Sequence, residues 1–234
     1  MKVGEILSIV LDIWGDFACF TRSEAKVERL TYPVPTPSAI RGILDAIYSK
    51  PIEFYWQVEK IEVINPIRYI SFKRNEVKNA ISADFKPKVI LSDDTDKTNG
   101  QRTQRQTVVL KNVYYRITAS IIKRETFNGN IKSLYDQAER RIQSGKCYYQ
   151  PYLGCREFIC YFEKASKEVM PINETIDLGF MLYDVFNLGH INHKEDTKPY
   201  ISLFKAKLEK GIMDIPPFHS DRVLKPSGGD SFAQ

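Results

Sequence analysis

"TPSAIRGILDAIYSKP", residues 36–51, decides the fold, because it lies between two strand-like stretches and sets how they are joined. It reads as a helix. Thr36 offers a hydroxyl to the first free N–H groups, and Pro37 suits the first turn, where its missing N–H is no loss. Lys50-Pro51 marks the end, since the residue before a proline avoids the helical region. Ile40, Ile43, Leu44 and Ile47 recur at helical spacing and form one apolar face. Arg41, Asp45 and Tyr48 form a second stripe at i, i+4 and i+7. The spacing predicts a helix over residues 37–49.

Working outward, "EILSIVLDIW" (5–14) alternates Leu7, Ile9, Leu11 and Ile13 with Ser8, Val10, Asp12 and Trp14, the period of a half-buried strand. A second strand is expected near 54–64, around Val58, Ile61 and Val63. Residues 15–35 read as a loop, and 71–106 as polar, basic and weakly patterned, with 93–106 an exposed loop or hairpin tip. Residues 107–125 return to strand. There Val113, Tyr115, Ile117, Ala119 and Ile121 lie on one face, and Tyr114, Arg116, Thr118 and Ser120 on the other. Residues 130–145 carry Ile131, Leu134, Tyr135, Ala138 and Ile142 at helical spacing, with Gly145 suited to the C-terminal cap. Strands are expected at 155–163 and 177–186.

This order predicts an α+β protein. A ferredoxin-like or RRM-like domain is expected over 1–125, with a basic arm near 71–106. A helix plus a smaller β-rich part is expected over 126–222, and a flexible tail over 223–234.

The 234 residues carry a net charge of +5, with 43% hydrophobic and 27% charged residues, an ordinary globular composition. The basic excess is concentrated: residues 70–124 hold twelve Lys/Arg against five Asp/Glu. Such a patch favours an anionic partner, and 13 Tyr with 13 Phe supply flat faces on which bases can stack. The four cysteines show no C-x-x-C spacing, and no secretory signal or membrane-length apolar run is present. Free thiols in a reducing cytoplasm, and no membrane association, are therefore expected. His190 and His193 lack partners for a zinc set. There is no Walker loop, G-x-G-x-x-G or G-x-S-x-G, so neither a metal nor another cofactor is expected.

Two blocks go further than pattern. "GDFACFTRSEAKVERLTYPVPTPSAIRGILDAIYSKP" (15–51) resembles the N-terminal signature of the CRISPR-associated Cas-five family in its subtype I-C form. "GKCYYQPYLGCREF" (145–158) resembles a second signature of that group. The resemblance implies a metal-independent endoribonuclease. It would cut CRISPR precursor RNA within the repeat and stay on the 5′ handle of the guide RNA, in a type I-C surveillance complex with other Cas subunits. A non-catalytic subunit that caps the 5′ handle is the alternative.

The implied reaction is attack of a 2′-hydroxyl on the adjacent phosphate with loss of the 5′-oxygen. It needs a proton acceptor, a donor to the leaving oxygen and a cation for the developing charge. The family's catalytic set is a tyrosine at the end of the first helix and a later lysine–histidine pair. Tyr48 in "AIYSKP" matches the tyrosine. The pair would fall near Ser133 and Leu134, where neither residue matches; Lys132 stands one position away. No histidine occurs between Met1 and Gly189. Tyr48 and Lys132 are thus the expected catalytic residues. Arg22, Lys26, Arg29, Arg41, Lys50, Arg102, Arg105 and Arg156 are the expected RNA contacts, with Asp45 orienting Arg41. Arg156 either binds the handle or pairs with Glu157 or another carboxylate.

Overall fold

A computed structural model describes residues 7–22, 24–25, 28–77, 102–166, 168–190 and 199–226. The elements in chain order are β1 (Ser8–Ala18), β2 (Arg29–Leu30), α1 (Pro37–Ile47), β3 (Phe54–Val63), β4 (Tyr69–Val77), β5 (Arg102–Lys123), α2 (Ile131–Gln143), β6 (Tyr161–Lys164), β7 (Ile176–Asp184), β8 (Ser202–Leu208), β9 (Ile212–Asp214) and β10 (Val223–Leu224). The protein is a mixed α/β fold with few helices and mostly antiparallel sheets.

Alternation places Ile9, Leu11 and Ile13 of β1 in the core, as read from the sequence. The strand continues to Ala18, beyond the expected end at residue 14. It is antiparallel to β5 on one side and β6 on the other. The main sheet runs β6-β1-β5-β3-β9, with β2 and β4 also pairing β5. Helices α1 and α2 touch each other and cover one face of this sheet. Ile40, Leu44 and Ile47 of α1 meet Leu134, Ala138 and Ile142 of α2 in the same core as Ile61 and Ile117. Burial of such side chains stabilises the fold by about 1.5–3 kcal/mol each relative to exposure.

Helix α1 begins as expected: the Thr36 hydroxyl accepts a hydrogen bond from Ala39 N at 3.1 Å. It ends at Ile47, two residues before the expected end. Tyr48 turns extended, at φ −151° and ψ 117°. The Trp56 indole N–H donates to the Tyr48 carbonyl at 2.8 Å, and the Tyr48 ring stacks on Phe54. Packing against β3 therefore overrides the local stop at Pro51. Helix α2 has Asn130 as its N-cap, and Gly145 follows it at φ 63°.

The reading of 71–106 as a polar, weakly patterned excursion is corrected in part. Residues 69–77 and 102–110 are paired strands, in register from Val77 opposite Arg102 to Tyr69 opposite Leu110. Arg105 and Arg74 face each other in that ladder. The hairpin stands largely outside the core, so its members need no apolar alternation. Residues 78–101, the middle of the expected arm, lie outside the described residues. Within β5, Asn112 takes a φ of 52°, which its residue type tolerates.

Downstream, the expected strand at 155–163 shrinks to Tyr161–Lys164. Residues 151–160 form a tight turn in which Tyr152 bridges Ile159. A second sheet, β10-β8-β7, follows, while β9 returns to pair β3. Among the described residues no helix is long and apolar enough to cross a membrane.

Candidate active site

Tyr48 sits where α1, α2 and β3 meet, and it is fully buried. Its ring lies 5.4 Å from that of Phe54 at an interplanar angle of 30°. Its hydroxyl is 3.5 Å from Gln137 Oε1 on α2, at the outer limit of a hydrogen bond. One turn further along α2, the Arg141 guanidinium lies between two phenols, 5.8 Å from the Tyr48 ring and 4.1 Å from the Tyr148 ring. Arg141 also donates to the Ile47 carbonyl, which the end of α1 leaves free, at 3.3 Å. Tyr148 is anchored alongside by its backbone N–H, which donates to the Ala46 carbonyl at 2.8 Å. Lys50 pairs with both oxygens of Glu53, at 2.9 and 3.1 Å.

Burial pushes the Tyr48 phenol above its ordinary value, outweighing the Lys50 and Arg141 cations that act in the other direction. Glu53, by its hydrogen bond, holds Lys50 above the usual lysine value. The cluster is therefore a neutral phenol flanked by the Arg141 cation and the Lys50–Glu53 ion pair. It can donate a hydrogen bond or a proton and stabilise negative charge, but the phenol is a poor base at neutral pH.

Lys132 does not join this group. It is exposed in the first turn of α2, its backbone N–H donating to Asn130 Oδ1 at 2.9 Å. Five residues separate it from Gln137, which places it about 140° around the helix. Its neighbour Ser133 is exposed and Leu134 is buried in the core. The cations that reach Tyr48 are Lys50, expected as an RNA contact, and Arg141, which the sequence reading missed. The available signal was the i, i+4 pair Gln137–Arg141 on α2, just ahead of Tyr148 in "GKCYY".

The remaining expected contacts divide. Arg41 points inward: its Nε and Nη2 donate to Asp184 at 2.6 and 3.0 Å, and its Nη1 to Asp45 at 2.7 Å. The pairing with Asp45 matches the expected geometry, and Asp184 of β7 is the unforeseen partner. The stripe on α1 is thus an internal strut rather than an open face. Arg22 bonds Glu24 at 3.4 Å and lies 5.0 Å from the Tyr32 ring. Arg29 bonds Glu157 at 2.6 Å, and Arg74 bonds the same carboxylate. Glu157 is therefore engaged by those two residues, and Arg156 is exposed at the turn. Arg105 is half-buried in the hairpin. Lys26, the Arg102 side chain and His193 lie outside the described residues. Among the described residues no group of three His, Cys, Asp or Glu is placed to hold a metal ion.

Residues 8–223 match the family described as "CRISPR-associated protein (Cas_Cas5)", in its Cas5d form. The chain belongs to this family. It is 37% identical over 232 residues to the CRISPR pre-crRNA endoribonuclease Cas5d of Mannheimia succiniciproducens, covering 93% of this chain and 98% of the relative. It is 41% identical over 215 residues to the protein of the same name from Thermus thermophilus, covering 87% of this chain and 89% of the relative. Among solved structures, a crystal structure of a CRISPR-associated protein superimposes with a TM-score of 0.65 at 21% identity, covering 94% of this chain and all of the other (100%). A functionally uncharacterized protein from Streptococcus mutans superimposes with a TM-score of 0.64 at 22% identity, covering 94% of this chain and 97% of the other. At those identities the likeness is one of fold.

Proposed function

We propose that this chain is a metal-independent endoribonuclease that cuts CRISPR precursor RNA within the repeat. It then remains on the 5′ handle of the guide RNA as a subunit of a type I-C surveillance complex with other Cas proteins. The observation that carries this reading is identity of 37% and 41%, over most of both chains, to two proteins named as pre-crRNA endoribonucleases. Four cysteines free of disulfides are consistent with a reducing cytoplasm. The antiparallel order β6-β1-β5-β3, with α1 leading into β3 and α2 into β6, supports reading the unit as a ferredoxin-like split βαβ fold, with the 71–106 segment as its arm.

In the reaction, the 2′-oxygen bonds to phosphorus as the bond from phosphorus to the 5′-oxygen breaks. Tyr48, kept protonated by burial, serves as hydrogen-bond or proton donor. Arg141 and Lys50 supply positive charge for the phosphorane. RNA reaches Tyr48 by displacing the Tyr148 ring, which is 52% exposed and lies over Arg141 beside the site. Lys132, Arg105 and Arg156, at the surface or in the hairpin, contact backbone phosphates. Arg22 and Arg29 belong to the same surface in this reading, and Lys26 is proposed as a further RNA contact. With no histidine in the first 189 residues, much of the rate enhancement rests on positioning and charge.

The buried phenol and the missing histidine favour one second reading, a handle-binding subunit without nuclease activity. Incubation of the purified protein in excess over its own repeat RNA, in EDTA, separates the two. A single cut within the repeat establishes the enzyme; a stable complex with intact RNA establishes the binding subunit.

A further inference from the structure

Cys19 and Cys155 are 136 residues apart, yet the fold brings them into one small cluster. Cys19 follows β1 and is completely buried. Its backbone N–H donates to the Leu153 carbonyl at 3.0 Å. Gly154, at φ +83°, lets the turn approach: a Cβ there would fall 2.0 Å from the Cys19 carbonyl oxygen. The next residue, Cys155, is partly exposed, with its Sγ 3.8 Å from that same oxygen. Arg29 Nη1 lies 3.4 Å from Cys155 Sγ, and Arg29 is itself held by Glu157 at 2.6 Å. Cys19 Sγ is 3.6 Å from Thr21 Oγ1. A cavity of about 320 Å³ between α1 and the turn is lined by Cys19, Thr21, Gly42, Tyr149, Tyr152 and Gly154, so the cluster is bordered by open space on the Cys19 side.

The two thiols differ in acidity. Interaction with the Cys19 thiol, followed by the Arg29 cation, lowers Cys155 to about 6 against the opposing effect of burial. The same interaction and burial push the Cys19 thiol up. Cys155 is thus the thiolate at neutral pH, and Cys19 holds its proton. Cys160, buried and without such a neighbour, is also pushed up.

We propose that Cys155 and Cys19 form a peroxide-oxidisable dithiol that closes reversibly into a disulfide, with Cys155 as the attacking sulfur and Cys19 as the resolving one. In the first step the Cys155 thiolate bonds to one oxygen of hydrogen peroxide. The O–O bond breaks, and hydroxide leaves to become water. In the second step the Cys19 sulfur bonds to the Cys155 sulfur, and the S–O bond breaks. The sulfenic hydroxyl departs as a second water, taking up the Cys19 proton. Overall, two thiols are oxidised and one peroxide is reduced to two waters. Arg29 is a positioning residue that holds the Cys155 thiolate. The bridge staples the end of β1 to the 151–160 turn.

The test is dilute hydrogen peroxide on the folded full chain, followed by alkylation of remaining thiols and peptide mapping without reductant. The expected product is one Cys19–Cys155 linked pair, with two of the four cysteines still alkylated and the link removed by dithiothreitol. Cys19→Ser should instead leave Cys155 as a sulfenic acid trapped by dimedone, and Cys160→Ser should change nothing. Alkylation kinetics add a second readout. Because a more acidic thiolate is a weaker nucleophile, Cys155 should exceed an ordinary exposed thiol by only about two- to threefold at pH 7. Its rate should level off above about pH 7, whereas an ordinary thiol, with a pKa of about 8.5, keeps rising. Arg29→Met should move that profile to higher pH. Oxidation of Cys155 without a link to Cys19, or an alkylation profile that rises like an ordinary thiol, overturns the proposal.

Discussion

Arg41 on α1 grips Asp184 on β7 through two hydrogen bonds, at 2.6 and 3.0 Å, tying the first helix to the second sheet. The Asp184 side chain is 2% exposed and also accepts the backbone N–H groups of Val185 and Phe186, at 2.7 and 2.9 Å. Desolvation opposes this pair and its hydrogen bonds offset that cost, so the pair matters most when one partner is removed.

Arg41→Ala should therefore destabilise the protein by about 3–5 kcal/mol, since it leaves a buried carboxylate without its cation. Arg41→Lys should recover only part of this, because an ammonium cannot reproduce the two-pronged contact. Urea unfolding checks both. A loss below about 1 kcal/mol for Arg41→Ala, the range of an exposed pair, would show that the strut contributes little.

At Tyr48 the ring and the hydroxyl should separate. The hydroxyl contact with Gln137 is long, at 3.5 Å, so Tyr48→Phe should cost no more than about 1 kcal/mol of stability. Tyr48→Ala opens a cavity under Phe54 and should cost about 3–5 kcal/mol. In single-turnover cleavage without divalent metal, Tyr48→Phe should slow the reaction by about 10²–10⁴-fold. An unchanged rate would make Tyr48 a packing residue only.

Arg141 and Lys132 make a matched comparison on one helix. Arg141 faces Tyr48, whereas Lys132 faces solvent about 180° away around the helix. Arg141→Ala should slow cleavage by about tenfold or more, equal to about 1.4 kcal/mol of transition-state stabilisation. Lys132→Ala should act mainly on RNA affinity. The two should combine additively within about 0.5 kcal/mol, because they share no partner. The reverse ranking in single-turnover rates would return the catalytic role to Lys132.

Buried phenols set an alkaline limit. Burial raises Tyr48, Tyr55, Tyr115 and Tyr183, and Tyr114, partly through Asp12, rises to about 12. Above about pH 10 the unfolded chain releases protons that the folded chain retains, so stability should fall as pH rises. Below that pH these groups are protonated in both states, and the effect vanishes. Ultraviolet absorbance of ionised tyrosine should therefore grow together with loss of the fold. Full ionisation of the tyrosines in a still-folded protein would contradict this.

The amino-acid sequence by itself determined the elements whose rules are local or periodic. Thr36-Pro37 starts α1, Ile40, Ile43, Leu44 and Ile47 face the core, and β1, β5 and α2 follow their apolar spacing. Tyr48 at the end of the first helix was legible as a candidate through its motif. The hairpin of β4 with β5 was not legible as strand, because its polar residues are held by cross-strand pairing and leave no apolar alternation. Only the tertiary structure decided where the side chains of the α1 stripe go. The phenol turns inward because Trp56 and Phe54 hold it, and Arg41 turns inward because Asp184, 143 residues away, completes its hydrogen bonds. Arg141 replaced Lys132 as the helix cation beside Tyr48 for a related reason: the burial of Leu134, Ala138 and Ile142 sets the rotation of α2 about its axis. Such contacts depend on how separately legible elements dock, and docking is settled by the shape of a core assembled from the whole chain.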